Sequence, residues 1–326
     1  MLSYVGWRFV RMLSVVFAVT LFTFFLLNLL PGSPINAILG PAAGDPAARA
    51  ELTNQLGLNH PLFERYFIWL GHALHGNLGQ SYVSDQSVTS AIAQRVPLTL
   101  ELMIMAEVIS LGLAIPMAMV CSLWPDKWFD KFTSGSTLLL LALPAFILGP
   151  ALIYLFAIRF HVFPASGEST WFTIGGGTSP TIIATPQSIL LPAIVLSAGQ
   201  LALFARVLRG DLLATLKSEF ILMARSKGFS RWYVLLHHAL RPSSFSLMSL
   251  VGLSVGGLLA GALIVENVFA LPGMGTLLIT SIEKRDYLIV QGMVVLIATG
   301  FVTVNFVTDA LYGVLDPRVR RARLIG

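Results

Sequence analysis

The run Met12-Leu-Ser-Val-Val-Phe-Ala-Val-Thr-Leu-Phe-Thr-Phe-Phe-Leu-Leu-Asn-Leu-Leu30 contains no charged side chain. A bilayer core needs roughly 20 apolar residues per helix, so this stretch reads as a membrane span. Arg8 and Arg11 precede it, a flank it shares with secretory signal peptides. Its apolar length exceeds the roughly 7–15 residues of a signal-peptide core, so it is read as an uncleaved first helix. Five further charge-free runs follow: Val108–Trp124, Phe132–Ile158, Ser188–Ala205, Pro242–Val265 and Tyr287–Thr308. The second reaches back through Thr99 if Glu101 and Glu107 are accommodated. The expected fold class is an all-α membrane protein with six transmembrane helices.

Composition agrees. The chain has 326 residues, of which 56% are hydrophobic and 11% charged. Soluble domains carry about 25% charged residues, so the surface lacks the charge that water requires. Disordered chains are polar and poor in aromatics, which excludes that class as well. The single cysteine, Cys121, rules out an intramolecular disulfide and any multi-cysteine metal site.

A net charge of +5 could mark a nucleic-acid partner, so its placement decides the matter. With six spans, both termini lie on one side, and 15 of the 21 Lys and Arg residues fall there, against 6 on the other. Positive loops stay in the cytoplasm, so both termini are expected inside and the charge is topological. No nucleic-acid partner is expected.

The chain then divides into a cytoplasmic N-terminal end with the first span (1–31), an external amphipathic segment (32–97), and a core of spans two to six (98–326). Pro and Gly punctuation in the external segment suggests short helices and turns. Leu62–Leu74 reads as an amphipathic helix whose Phe63, Tyr66, Phe67 and Trp69 suit a membrane interface. Pro116, Pro144, Pro150 and Pro192 interrupt spans and are candidate kinks. Helix five carries the small-residue pairs Gly252/Gly256 and Gly257/Gly261, which serve packing within the chain or against a partner. Among acidic residues in or near spans, Glu107 is the deepest. Glu101 and Glu266 are expected near outer ends, where solvation is cheap.

The long cytoplasmic loop at 209–241 carries the most specific pattern, with seven positive residues between Arg206 and Arg241. Gly228 falls where a helix end wants a left-handed residue, with Arg225 and Lys227 in the preceding turn. Ser230 is placed to cap the next helix and Pro242 to begin the following span. The expected loop is helix, glycine break, helix, with Phe220, Ile221 and Met223 as apolar projections. Periodicity leaves two readings open: an interfacial hairpin resting on anionic lipid, or a docking element.

Ala224, three residues and Gly228, followed by His238-Ala239-Leu240-Arg241, resemble the EAA loop of ATP-binding cassette importer permeases. Leu222 and Met223 depart from that motif, as in its dipeptide/oligopeptide/nickel branch, whose loop is similar to Ala224-Arg225-Ser226-Lys227-Gly228. Val265-Glu266-Asn267-Val268-Phe269, Pro272-Gly273-Met274-Gly275, Arg285-Asp286-Tyr287 and Leu315-Asp316-Pro317-Arg318 resemble the same branch. So do Asn77-Leu78-Gly79-Gln80-Ser81 and Pro97-Leu98-Thr99-Leu100-Glu101, which extends the likeness over nearly the whole chain.

The resemblance implies a type I importer permease fold, multi-pass in the bacterial cytoplasmic (inner) membrane, with a cytoplasmic coupling helix. Glu219, Phe220, Ile221, Met223, Ala224, Arg225, Lys227 and Gly228 would form the ATPase-coupling loop. Glu266, Phe269, Pro272, Gly273, Gly275, Asp286, Asp316 and Pro317 would be structural motif positions. The implied partners are a homologous second permease, two cytoplasmic ATPase subunits, an external (periplasmic) substrate-binding protein and the bilayer. The implied cargo is di- or oligopeptide, with nickel or a metal chelate as the alternative.

The residues themselves point to no catalytic, metal or cofactor site in this chain. No Gly-Lys dipeptide occurs, so the phosphate loop of an ATPase is missing and ATP with Mg would be used by partner subunits. No His-Glu-x-x-His pattern occurs either. The rival class is a self-sufficient secondary transporter or channel. It predicts inverted repeats with paired broken helices, and no convincing repeat is visible.

Overall fold

The computed structural model describes residues 2–29, 44–55, 58–81, 83–166, 169–172 and 181–315, with the single positions Ile35 and Leu39. The N-terminal half holds α1 (Leu2–Leu29), α2 (Pro46–Gln55), α3 (Leu62–Leu74), α4 (Val88–Ala93), α5 (Val96–Leu123), α6 (Trp128–Ala142) and α7 (Ala145–Leu152). A π-helical stretch, Ile153–Arg159, continues α7, and a two-stranded sheet pairs β1 (Ser169–Phe172) with β2 (Thr181–Ala184). Then come α8 (Pro186–Thr215), α9 (Glu219–Ser226), α10 (Arg231–Val234), a π-helical turn at Leu235–Ala239, α11 (Leu240–Val268), α12 (Met274–Glu283) and α13 (Tyr287–Leu315).

Five helical stretches are long and apolar enough to cross a membrane: Gly6–Leu29, Val88–Leu123, Pro186–Thr215, Arg231–Val268 and Tyr287–Thr308. The sixth expected span, Phe132–Ile158, is not one rod. It is α6 and α7 bent by 108°. Pro144 causes the break. It caps α7 at φ −64°, and Leu143 before it is extended at φ −90°, ψ 113°, as a residue preceding proline prefers. Pro116, Pro150 and Pro192 lie inside α5, α7 and α8 without ending them.

Packing groups the chain into two units. The first comprises Met1–Pro97, Trp171–Ile182 and Pro272–Phe306. Here the Leu62–Leu74 helix has the expected bounds but a different use for its aromatics. Tyr66 and Trp69 are buried against Phe24 of α1, while Phe63 and Phe67 stay exposed. The Tyr66 hydroxyl donates to Thr20 Oγ1 at 2.9 Å, and Thr20 donates onward to the Phe17 carbonyl. A tyrosine turned towards a helix can bury its ring and still satisfy its hydroxyl, which favours this contact over lipid.

The second unit comprises Leu98–Thr170, Ile183–Leu271 and Val307–Gly326. Its central helix is α8, which packs against α6, α7 and α11. Small buried residues, among them Ser188, Ala193, Ser197, Ala198 and Ala202, let those neighbours approach α8 closely. Gly252 of α11 lies so near α13 that an added Cβ would overlap Thr308, and one on Gly261 would meet Leu196 of α8 at 2.7 Å. These two glycines therefore serve packing within the chain. Gly257 has no neighbour within 4 Å of such a Cβ.

Candidate functional site

The loop between α8 and α11 folds as helix, glycine break, helix. Ser218 precedes α9, and Glu219 occupies its first turn, where a carboxylate favours the helix dipole. Gly228 follows the end of α9 at φ +85°, its N–H donating to the Arg225 carbonyl at 2.9 Å. That left-handed conformation is costly for a residue with a Cβ and free for glycine. Ser230 then caps α10, its hydroxyl accepting from the Tyr233 N–H at 3.3 Å. Pro242 does not start a separate helix. A π-helical turn at Leu235–Ala239 joins α10 to α11, so the second arm of the hairpin runs unbroken into the span.

Burial sorts the loop residues into two faces. Ile221 is fully buried and Ala224 is 7% exposed, both packed with Leu212 of α8, with Leu216 just after it, and with Val234 and Leu235. Ile221 is thus an anchor, which corrects the expectation that it projects. The spacing i, i+3 explains this, since it puts Ile221 and Ala224 on one stripe of α9. The opposite side presents Phe220 (49% exposed), Leu222 (56%) and Met223 (62%), with Glu219, Arg225, Lys227 and Gly228 also exposed. Three large apolar side chains exposed on one face, ringed by charge, suit a protein-docking patch or a membrane surface. Beside them Phe229, Tyr233 and His237 stack in series, at 4.8 Å and 4.3 Å between ring centroids.

The motif residues after α11 build a turn rather than a cleft. Phe269 and Ala270 close α11, with Ala270 N–H to the Asn267 carbonyl and Leu271 N–H to the Glu266 carbonyl. This is a Schellman-type end with Ala270 in the left-handed position at φ +51°. Gly273 caps α12, Pro272 precedes it, and Gly275 is buried in its first turn. The short α12 itself was not anticipated from sequence. Glu266 corrects another expectation, because it is fully buried and accepts from Thr99 Oγ1 at 2.5 Å. Asp286, 2% exposed, accepts from the Ser81 hydroxyl and immediately precedes α13. Asp316 and Pro317 lie outside the described residues.

Sequence reasoning missed one ion pair. The Arg209 guanidinium of α8 grips Asp130 in the first turn of α6. Both lie beyond the ends of charge-free runs, and nothing in sequence spacing pairs them. Glu107, by contrast, has both carboxyl oxygens buried with no hydrogen-bond partner among the described residues.

Gly252-Leu253-Ser254-Val255-Gly256 has the spelling of a nucleophile elbow, but it lies within α11, and the Ser254 hydroxyl donates to the Val251 carbonyl at 2.7 Å. An elbow needs a strand-to-helix turn, so the spelling is coincidental. Among the described residues no group of three or more His, Cys, Asp or Glu side chains could hold a metal ion.

Comparison with known proteins covers the whole chain. Residues 110–321 match the family described as "Binding-protein-dependent transport system inner membrane component", and residues 1–103 match the N-terminal region described for the same membrane component. The di/tripeptide transport system permease protein of Pseudomonas aeruginosa is 34% identical, over 99% of this chain and 100% of its own length. A putative peptide permease protein of Brucella suis is also 34% identical, over 98% and 99%. The glutathione transport system permease protein of Escherichia coli is 32% identical, again over 98% and 99%.

Proposed function

The chain belongs to the binding-protein-dependent transport system inner membrane component family, and from that premise we propose that it forms half of the translocation pathway of an ATP-driven importer for di- and oligopeptides. The observation that carries this reading is end-to-end similarity to peptide permeases, joined to an exposed apolar face on a short helix fastened to the core by Ile221 and Ala224. The relatives reported are peptide and glutathione permeases, which favours a peptide cargo over nickel or a metal chelate.

In this reading the termini and α9 face the cytoplasm, as the distribution of Lys and Arg requires. A homologous second permease completes the pathway, an external binding protein delivers cargo, and of two ATPase subunits one docks on Phe220, Leu222 and Met223 of this chain and the other on the second permease. This chain is then a translocation subunit, and its partners hydrolyse ATP with the help of Mg. The test is uptake of labelled di- and tripeptides into proteoliposomes holding the chain with its genomic neighbours. Uptake should need ATP and every subunit. Uptake by this chain alone would overturn the reading in favour of a self-sufficient transporter.

A further inference from the structure

Where α5, α6 and α8 converge, a cavity of about 140 Å³ opens. Its polar lining includes Thr133, Ser134 and Thr137 of α6 with Arg206 and Arg209 of α8, and Leu138 supplies an apolar wall. Asp130 neutralises Arg209 through two charge-assisted bonds of 2.5 Å and 2.6 Å. Arg206 forms no hydrogen bond or ion pair with any described residue, so the cavity keeps one uncompensated positive charge. The Ser134 hydroxyl likewise has no partner among the described residues.

The outer side of α6 tells what reaches this cavity. Trp128, Phe132 and Leu139 are 77%, 66% and 60% exposed, a surface fit for lipid. The Trp128 and Phe132 rings lie 6.4 Å apart at the start of the helix, where aromatic residues mark headgroup depth. Thr133 and Ser134 follow directly, and Leu138 comes one turn further along, towards the hydrocarbon. Cationic and hydroxyl donors at headgroup depth, with an apolar wall leading inward, complement a phosphodiester carrying an acyl chain.

We propose that this cavity binds the headgroup phosphate of an anionic glycerophospholipid, with Arg206 and Ser134 as donors and Leu138 against the acyl chain. Free phosphate offers the same oxygens but nothing for Leu138 to cover. The site needs neither the ATPase partners nor cargo, so it stands or falls apart from the transport reading.

The test uses the full chain, purified in detergent, stripped of lipid and followed by native mass spectrometry. Dioleoylphosphatidylglycerol should be retained in preference to dioleoylphosphatidylcholine, and inorganic phosphate should not displace it. Arg206→Gln, at an exposed position, should weaken retention about fivefold, the worth of one arginine at an anionic surface. Leu138→Trp, which fills the cavity from its half-exposed wall, should abolish retention and covers the case of a poorly folded arginine variant. Equal retention of both lipids, or unchanged retention in both variants, overturns the proposal. Displacement by inorganic phosphate reassigns the site to free phosphate and overturns the lipid assignment.

Discussion

Arg209 meets Asp130 edge to edge, Nε on Oδ1 at 2.5 Å and an Nη on Oδ2 at 2.6 Å, tying α8 to the first turn of α6. Asp130 also accepts from the Asp126 N–H at 2.9 Å, which holds the turn between α5 and α6. Asp130 is 3% exposed at its side chain and Arg209 28%, so neither charge can turn fully to water if its partner is lost. Asp130→Asn should therefore lower stability by about 3 kcal/mol, as breaking a largely buried pair does. The exchange Asp130→Arg with Arg209→Asp should recover part of it. Thermal unfolding followed by size-exclusion chromatography measures both, and an unchanged midpoint in Asp130→Asn would refute the pair.

The two faces of α9 should separate the proposed docking from folding. Phe220→Glu with Met223→Glu changes only exposed positions, so insertion and melting temperature should stay as they are. Co-purification of the ATPase subunits should fall about thirtyfold or more, the cost of losing an apolar hot spot. Ala224→Glu differs, because it drives a carboxylate into the core around Leu212 and Val234 and should lower the yield of folded protein. Undiminished ATPase retention by the Phe220/Met223 variant would remove the docking assignment.

Two glycines of α11 should respond in opposite directions to alanine. At Gly252 the new methyl overlaps Thr308, and the overpacking should cost about 1–3 kcal/mol. Thr308→Ala in the same chain should return part of that, a coupling that a double-mutant cycle reads directly. At Gly257 the methyl meets nothing within 4 Å, and better helix propensity should raise stability by up to about 1 kcal/mol. Equal shifts at the two positions would contradict the packing described.

Ala270 and Arg285 hold left-handed backbones at φ +51° and +58°, closing α11 and α12 where glycine is the usual choice. Ala270→Gly and Arg285→Gly should each stabilise the fold by about 0.5–1 kcal/mol, because relief of backbone strain outweighs the added freedom of the unfolded chain. Melting temperatures of the single variants decide it, and a fall in both would show that the strain is absent.

These two residues also mark where sequence stops being readable. Gly228 announces the end of α9 because its left-handed position is filled by the residue that best tolerates it. Ala270 and Arg285 announce nothing, so the short α12 between them went unread despite Pro272 and Gly273. Spans were legible because hydrocarbon imposes a single rule on every residue in a run. The bend at Pro144 was legible as a possibility and not as 108°, since whether a proline ends a helix depends on neighbours, and Pro116 and Pro192 leave theirs whole. In the loop, the helix–glycine–helix pattern was legible, while the inward turn of Ile221 depends on where α8 stands. The contacts Thr20–Tyr66, Thr99–Glu266 and Ser81–Asp286 join positions far apart in the chain, and local pattern carries no information about them.

The π-helical turn at Leu235–Ala239 makes Arg231–Val268 one helical stretch of 38 residues, with the hairpin at one end and Glu266 at the other. At 1.5 Å per residue its contour is about 57 Å. A twist or thrust applied at Arg231 meets no break in the helix before it arrives where Glu266 is bonded to Thr99. Under the proposed docking, the hairpin would act as the handle of a crankshaft, and the buried carboxylate would lie where its stroke is delivered. The wide turn near the handle is where that stretch departs from the regular α-helical ladder.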